Sequence, residues 1–89
     1  MALPLAVWKD EETTAACVYA FGPAPAPDAP PPDSAGRVRL QKASGDIEVL
    51  ALPDAADGAN PRFLLAQAVS RLQAYHEADA YPAHDRWTA

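Results

Sequence analysis

Eighty-nine residues with twelve acidic and seven basic side chains give a net charge of -5, and a single cysteine stands beside ten prolines. A chain of this length holds one small core and buries only about two-thirds of the surface its unfolded form exposes. The lone Cys17 excludes an intrachain disulfide and a four-cysteine zinc site, and the negative balance repels a phosphate backbone, which sets nucleic acid aside as a partner.

The segment from Met1 to Lys9 has no basic leader, and its apolar run stops too early for a signal peptide or a membrane span. The expectation is a cytoplasmic protein with no membrane role. Residues 3–8 and 13–21 read as a first β-hairpin, with Lys9-Asp10-Glu11-Glu12 as its charged connection. Cys17, Tyr19 and Phe21 fall on one face of the second strand and form candidate core. Ala16, Val18 and Ala20 on the opposite face are small but not polar, so this strand is expected to be covered on both sides.

From Gly22 to Gly36 the composition shifts, with six of the ten prolines lying between Pro23 and Pro32. Proline removes a backbone donor and fixes φ, so 22–36 is expected to be an extended loop between strands two and three, without a packed element. Pro27-Asp28-Ala29-Pro30 has the PxxP spacing, but the nearest basic residue is Arg37, and the segment reads as a connection rather than a groove ligand. Gly36 to Leu50 alternates apolar and polar residues about a Ser44-Gly45 turn, a second hairpin that would set Leu40 opposite Val49 and Gln41 opposite Glu48. Arg37 and Arg39 then share the outward face as a small basic strip, partly neutralised by Glu48.

Pro53 to Ala59 reads as a loop. Asn60 is a good N-cap and Pro61 suits the first helical position, because its missing N–H has no partner there anyway. The spacing predicts one amphipathic helix over 61–78, with Leu65, Val69, Leu72 and His76 as its stripe, Leu64, Ala68 and Tyr75 widening it, and Arg62, Ser70, Gln73 and Glu77 facing water. The fold class is therefore α+β, a single domain over 1–89: an antiparallel sheet of about four strands in two hairpins, with one C-terminal helix on one face. In the tail, Tyr81 and Trp87 are two large aromatics that a frayed end would not need. They are expected to fold back over the core or to meet another protein.

No constellation for catalysis emerges. His76 and His84 stand eight positions apart with Pro82 between them, which is not the spacing of metal ligands on one helix face, even with Glu77, Asp79 and Asp85 nearby. Cys17 lies in an apolar strand, where such a side chain packs and is inert rather than activated by a histidine. The expectation is no enzyme, no cofactor and no metal, with Arg37, Arg39, Tyr81, His84 and Trp87 as candidate contacts for a partner.

Taken together, Tyr19-Ala20-Phe21-Gly22, Gly36-Arg37-Val38-Arg39-Leu40-Gln41-Lys42, Gly45-Asp46-Ile47-Glu48, the helix, Tyr81-Pro82 and Trp87-Thr88-Ala89 resemble small bacterial proteins of the immunity type. The resemblance implies a cytoplasmic inhibitor that binds a toxin of the same cell and performs no chemistry. The leading expectation is thus a protein-binding domain of immunity or antitoxin type, whose acidic surface suits a basic partner. Two alternatives come from other classes: a small-molecule or peptide module with an aromatic site of Tyr75, Tyr81, His84 and Trp87, and a structural homodimer joined through an edge strand.

Overall fold

The computed structural model describes residues 3–53 and 60–89. Its elements in chain order are β1 (Pro4–Glu12), β2 (Ala16–Pro23), β3 (Gly36–Gln41), β4 (Ile47–Ala51), α1 (Pro61–Ala78) and β5 (His84–Thr88). The strands form one antiparallel sheet in the order β4-β3-β2-β1-β5. The first four make a meander, and α1 carries the chain back along the sheet so that β5 can pair with β1. The α+β class stands, but the expected sheet of about four strands has a fifth: the aromatic tail is a strand, with Leu5 opposite Trp87 and Trp8 opposite His84.

Residues directly opposite each other in a sheet share a face. Val7 opposite Phe21, Tyr19 opposite Val38 and Cys17 opposite Leu40 therefore point to one side, where Leu64, Ala68 and Leu72 of α1 complete the core. The helix spans the residues its spacing predicts. Asn60 accepts a bond from the Arg62 amide, Pro61 occupies the first turn, and Asp79 ends the helix in the left-handed region at φ 52. Its buried line is Leu64, Ala68 and Leu72, so the expected stripe of Leu65, Val69 and His76 forms a half-buried flank. The His76 Nε2 atom lies 3.0 Å from the Lys42 carbonyl oxygen, which ties the end of α1 to the β3–β4 turn.

The first hairpin differs from expectation in its turn, and the second keeps its Ser44-Gly45 turn but differs in register. Lys9 to Glu12 is strand rather than connection: the register shifts at Asp10, and the turn falls at Thr13, whose Oγ1 accepts from the Ala15 and Ala16 amides. Three of these four charged residues pair, Lys9 Nζ reaching Glu12 Oε1 at 2.7 Å and Asp10 meeting Arg37, while Glu11 is exposed. In the second hairpin Leu40 faces Ile47 and Arg39 faces Glu48, two places from the expected register, with the same faces kept. The Gln41 amide donates to the Asp46 carbonyl and the Gly45 amide to the Gln41 carbonyl, so the loop is Lys42 to Gly45. Gly45 closes it at φ 78, a conformation that glycine adopts without steric cost.

The other face of the sheet is covered differently. Ala6 and Ala20 are buried there without large side chains, and the segment between β2 and β3 crosses over them. A Cβ placed on Gly22 would lie 3.7 Å from Pro32 Cγ and 3.9 Å from the Ala35 Cα, so the proline segment rests directly on the backbone. It has no regular element, as expected, yet three hydrogen bonds strap it down at two residues, Ala24 and Ala29. The Ala24 amide donates to the Pro4 carbonyl at 3.0 Å, Trp8 Nε1 to the Ala29 carbonyl at 3.1 Å, and Arg86 Nε to the Ala24 carbonyl at 3.1 Å. Among the described residues, no helix is long and apolar enough to cross a membrane.

Candidate functional site

The alternation of β5 sets two of the five expected contact residues, His84 and Trp87, on opposite faces of the sheet. Trp87 points to the helix side, where its Nε1 donates to Gln67 Oε1 at 3.2 Å and the Arg71 guanidinium lies 4.8 Å from its ring centroid. Asp85 points the same way and accepts a bond of 2.5 Å from the Tyr75 hydroxyl, with Arg71 at 3.7 Å. His84 points to the opposite face and stacks on Trp8, ring centroids 6.0 Å apart and planes at 26°. The aromatic site of Tyr75, Tyr81, His84 and Trp87 is therefore not assembled as one group, because the sheet separates His84 from Tyr75 and Trp87.

Tyr81 packs at the edge of the core with Lys42 Nζ 5.2 Å from its ring centroid, and its carbonyl accepts a bond of 3.0 Å from Lys9 Nζ. Arg37 and Arg39 share the back face of the sheet, but neither is a free cation. Arg37 pairs with Asp10, and Arg39 Nη1 meets Glu48 Oε1 at 2.8 Å.

The mouth of the core beside Tyr81 is closed by a small ionic cluster. Lys9 and Lys42 hold the two oxygens of Glu12 at 2.7 and 2.8 Å, and hydrogen bonds from Lys42 and then Lys9 lower its pKa to about 2. The Cys17 thiol donates to Glu12 Oε2 at 3.7 Å, and burial, then the Glu12 charge, pushes its pKa up. A sealed and protonated thiol has little nucleophilic character. Burial also pushes Tyr19 and Tyr75 well above the ordinary phenol range, with the Asp85 bond adding to the shift at Tyr75. Tyr19 spends its hydroxyl on the Pro82 carbonyl at 2.8 Å, which fixes the approach to β5. Among the described residues, no three His, Cys, Asp or Glu side chains gather as metal ligands.

One concavity lies where the strap crosses the back face. Trp8, His84, Pro27, Asp28, Ala29 and Pro30 line an open pocket of about 260 Å³. Trp8 was not among the sequence-predicted contacts, although a signal for it exists. In a strand whose inward positions are Leu5 and Val7, a tryptophan at the next outward position needs its own cover, and the proline segment is long enough to supply it. Four large apolar side chains are also at least 40 % exposed: Val49, Leu50 and Leu52, on and after the edge strand β4, and Phe63 at the start of α1.

The charges follow a pattern. Lys9, Arg37, Arg39, Lys42 and Arg71, five of the seven basic side chains, stand in ion pairs within the chain, and Arg86 is bonded to the Ala24 carbonyl. The acidic side chains outnumber them, and Glu11, Asp28, Asp33, Asp46, Glu77 and Asp79 are all exposed. Comparison with family models, with curated proteins and with solved structures returns no match to this chain.

Proposed function

We propose that this chain is a non-enzymatic protein-binding domain, a cytoplasmic bacterial inhibitor of immunity or antitoxin type that presents an acidic surface to a basic partner protein. The observation that carries the reading is the distribution of charge. Five of the seven cations stand in internal ion pairs, while exposed carboxylates outnumber the two others, Arg62 and Arg86, so the field offered to an approaching protein is negative. A field of that sign steers a basic partner and raises its association rate, an effect that salt screens. The closed arrangement around Cys17 is in keeping with this reading, since it holds that thiol buried and protonated.

The test is capture of the partner from the native cell, followed by reconstitution from two purified proteins. The expected result is a stoichiometric complex whose association rate falls as ionic strength rises. A purified partner of acidic character, or an association rate indifferent to salt, overturns the charge argument. Sedimentation of the chain alone completes the test: a stable homodimer joined through the edge of β4, with no other partner captured, replaces this reading with the structural one.

A further inference from the structure

The pocket under the proline strap is lined by Trp8, whose ring stacks on His84, and by Asp28, and none of its lining residues is a lysine or arginine. Elsewhere the chain shows how it completes such a pair. Across the sheet, the Arg71 guanidinium lies 4.8 Å from the Trp87 ring centroid with Asp85 as counter-ion at 3.7 Å. Trp8 and Asp28 offer a ring and a charge of the same kinds on the back face, without the cation between them.

We propose that this pocket accepts an arginine side chain of the partner, its guanidinium lying against Trp8 and His84 with Asp28 as counter-ion. The inference rests on the protein-binding reading and names the anchor of that same contact. Three features favour it. The Trp8 ring is fixed before binding by its bond to the Ala29 carbonyl, so little side-chain freedom remains to be lost. The walls include Pro27 and Pro30, whose φ angles are fixed in advance. A guanidinium is planar, stacks on aromatic faces and is weakly hydrated, which suits a half-open aromatic pocket better than the strongly hydrated ammonium of lysine.

The experiment uses the full chain labelled with nitrogen-15 and two capped peptides, Gly-Gly-Arg-Gly-Gly and its citrulline counterpart, which keeps the shape and removes the charge. With the arginine peptide, the Trp8 indole N–H and the Asp28 and Ala29 amides shift and saturate, while the Trp87 indole stays in place. The citrulline peptide binds at least about tenfold more weakly, and Asp28→Asn weakens the arginine peptide by roughly three- to tenfold. Asp28 is exposed on the strap and outside the core, so the substitution tests the site in a folded protein. Equal responses to the two peptides, an Asp28→Asn titration identical to that of the unaltered chain, or no movement of the Trp8 indole overturns the proposal. The two readings fail separately. If the purified partner binds Asp28→Asn as tightly as the unaltered chain, the pocket assignment falls and the protein-binding reading stands. If the peptide responses appear and no partner protein exists, the pocket stands as a site for guanidinium groups and the protein-binding reading falls.

Discussion

Trp87 and Trp8 stand on opposite faces of one sheet, and their surroundings differ in kind. Trp87 lies against a helix that buries Leu64, Ala68 and Leu72 on Tyr19, Phe21, Val38 and Leu40, and both its ring and its N–H are already engaged by Arg71 and Gln67. Trp8 stacks on His84 and lies against Ala6, Ala20 and a strap with no regular structure, which is held to the sheet by a few hydrogen bonds and leaves a pocket at its side. Apolar burial stabilises in proportion to area, at roughly 25 cal/mol per Å², whereas a hydrogen bond contributes a net of only about 0.5–1.5 kcal/mol. The helix face therefore carries the stability of the domain, and the strap face is free to carry recognition.

The largest expected effect tests that division directly. Phe21→Ala removes a side chain that is 1 % exposed in the centre of the helix-side core, and is expected to cost about 3–5 kcal/mol in urea unfolding. That is a large share of the stability of a small domain. Gly45→Ala comes next. Its φ of 78 disfavours any Cβ, and the added carbon would sit 2.8 Å from His76 Nδ1. The expected loss is about 1–2 kcal/mol, together with faster amide exchange at the end of α1, because the substitution pushes the β3–β4 loop off the helix. A loss confined to the loop, with α1 exchange unchanged, would show that the two are not coupled. On the other face, Trp8→Phe keeps a ring and deletes the donor to Ala29. It is expected to cost only about 0.5–1.5 kcal/mol and to speed exchange of the Ala29 and Ala35 amides while core amides keep their protection. A Trp8→Phe loss as large as that of Phe21→Ala would break the comparison between the faces.

The helix was the most legible part of the sequence, because its start signal at Asn60-Pro61 and its periodicity agree with each other. The inward set Cys17, Tyr19 and Phe21 was equally plain, since all three are apolar at a period of two. The strand β5 was hidden for a physical reason. One of its two inward positions is Asp85, whose charge breaks the apolar alternation, and only the Tyr75 hydroxyl and Arg71 make that position tolerable. The strand at Lys9 to Glu12 was masked in the same way, its charges being satisfied by partners distant in sequence such as Lys42. The site was less legible still. Arg37 and Arg39 were visible as residues, but their neutralisation by Asp10 and Glu48 depends on register, and the meeting of Trp8, Asp28 and His84 requires three separate segments to converge.

The smallest effect concerns the ionic cluster at the mouth of the core, and it decides whether those charges belong to the stabilising face or merely decorate it. Lys42 and Lys9 hydrogen-bond the ionised form of Glu12 and bring its pKa from an ordinary 4.5 down to about 2. The folded chain therefore binds this proton less readily than the unfolded chain does, so the contribution is present above pH 4.5 and is lost as pH falls toward 2. Glu12→Gln removes the titration and the charge together. Urea midpoints measured from pH 7 to pH 2 are expected to show the unaltered protein more stable near neutrality, with the two curves converging at the acid end. The difference is small because solvent screens the pairs. Parallel curves would mean that Glu12 contributes shape rather than charge, and the ions around Cys17 would then be no more than a lid.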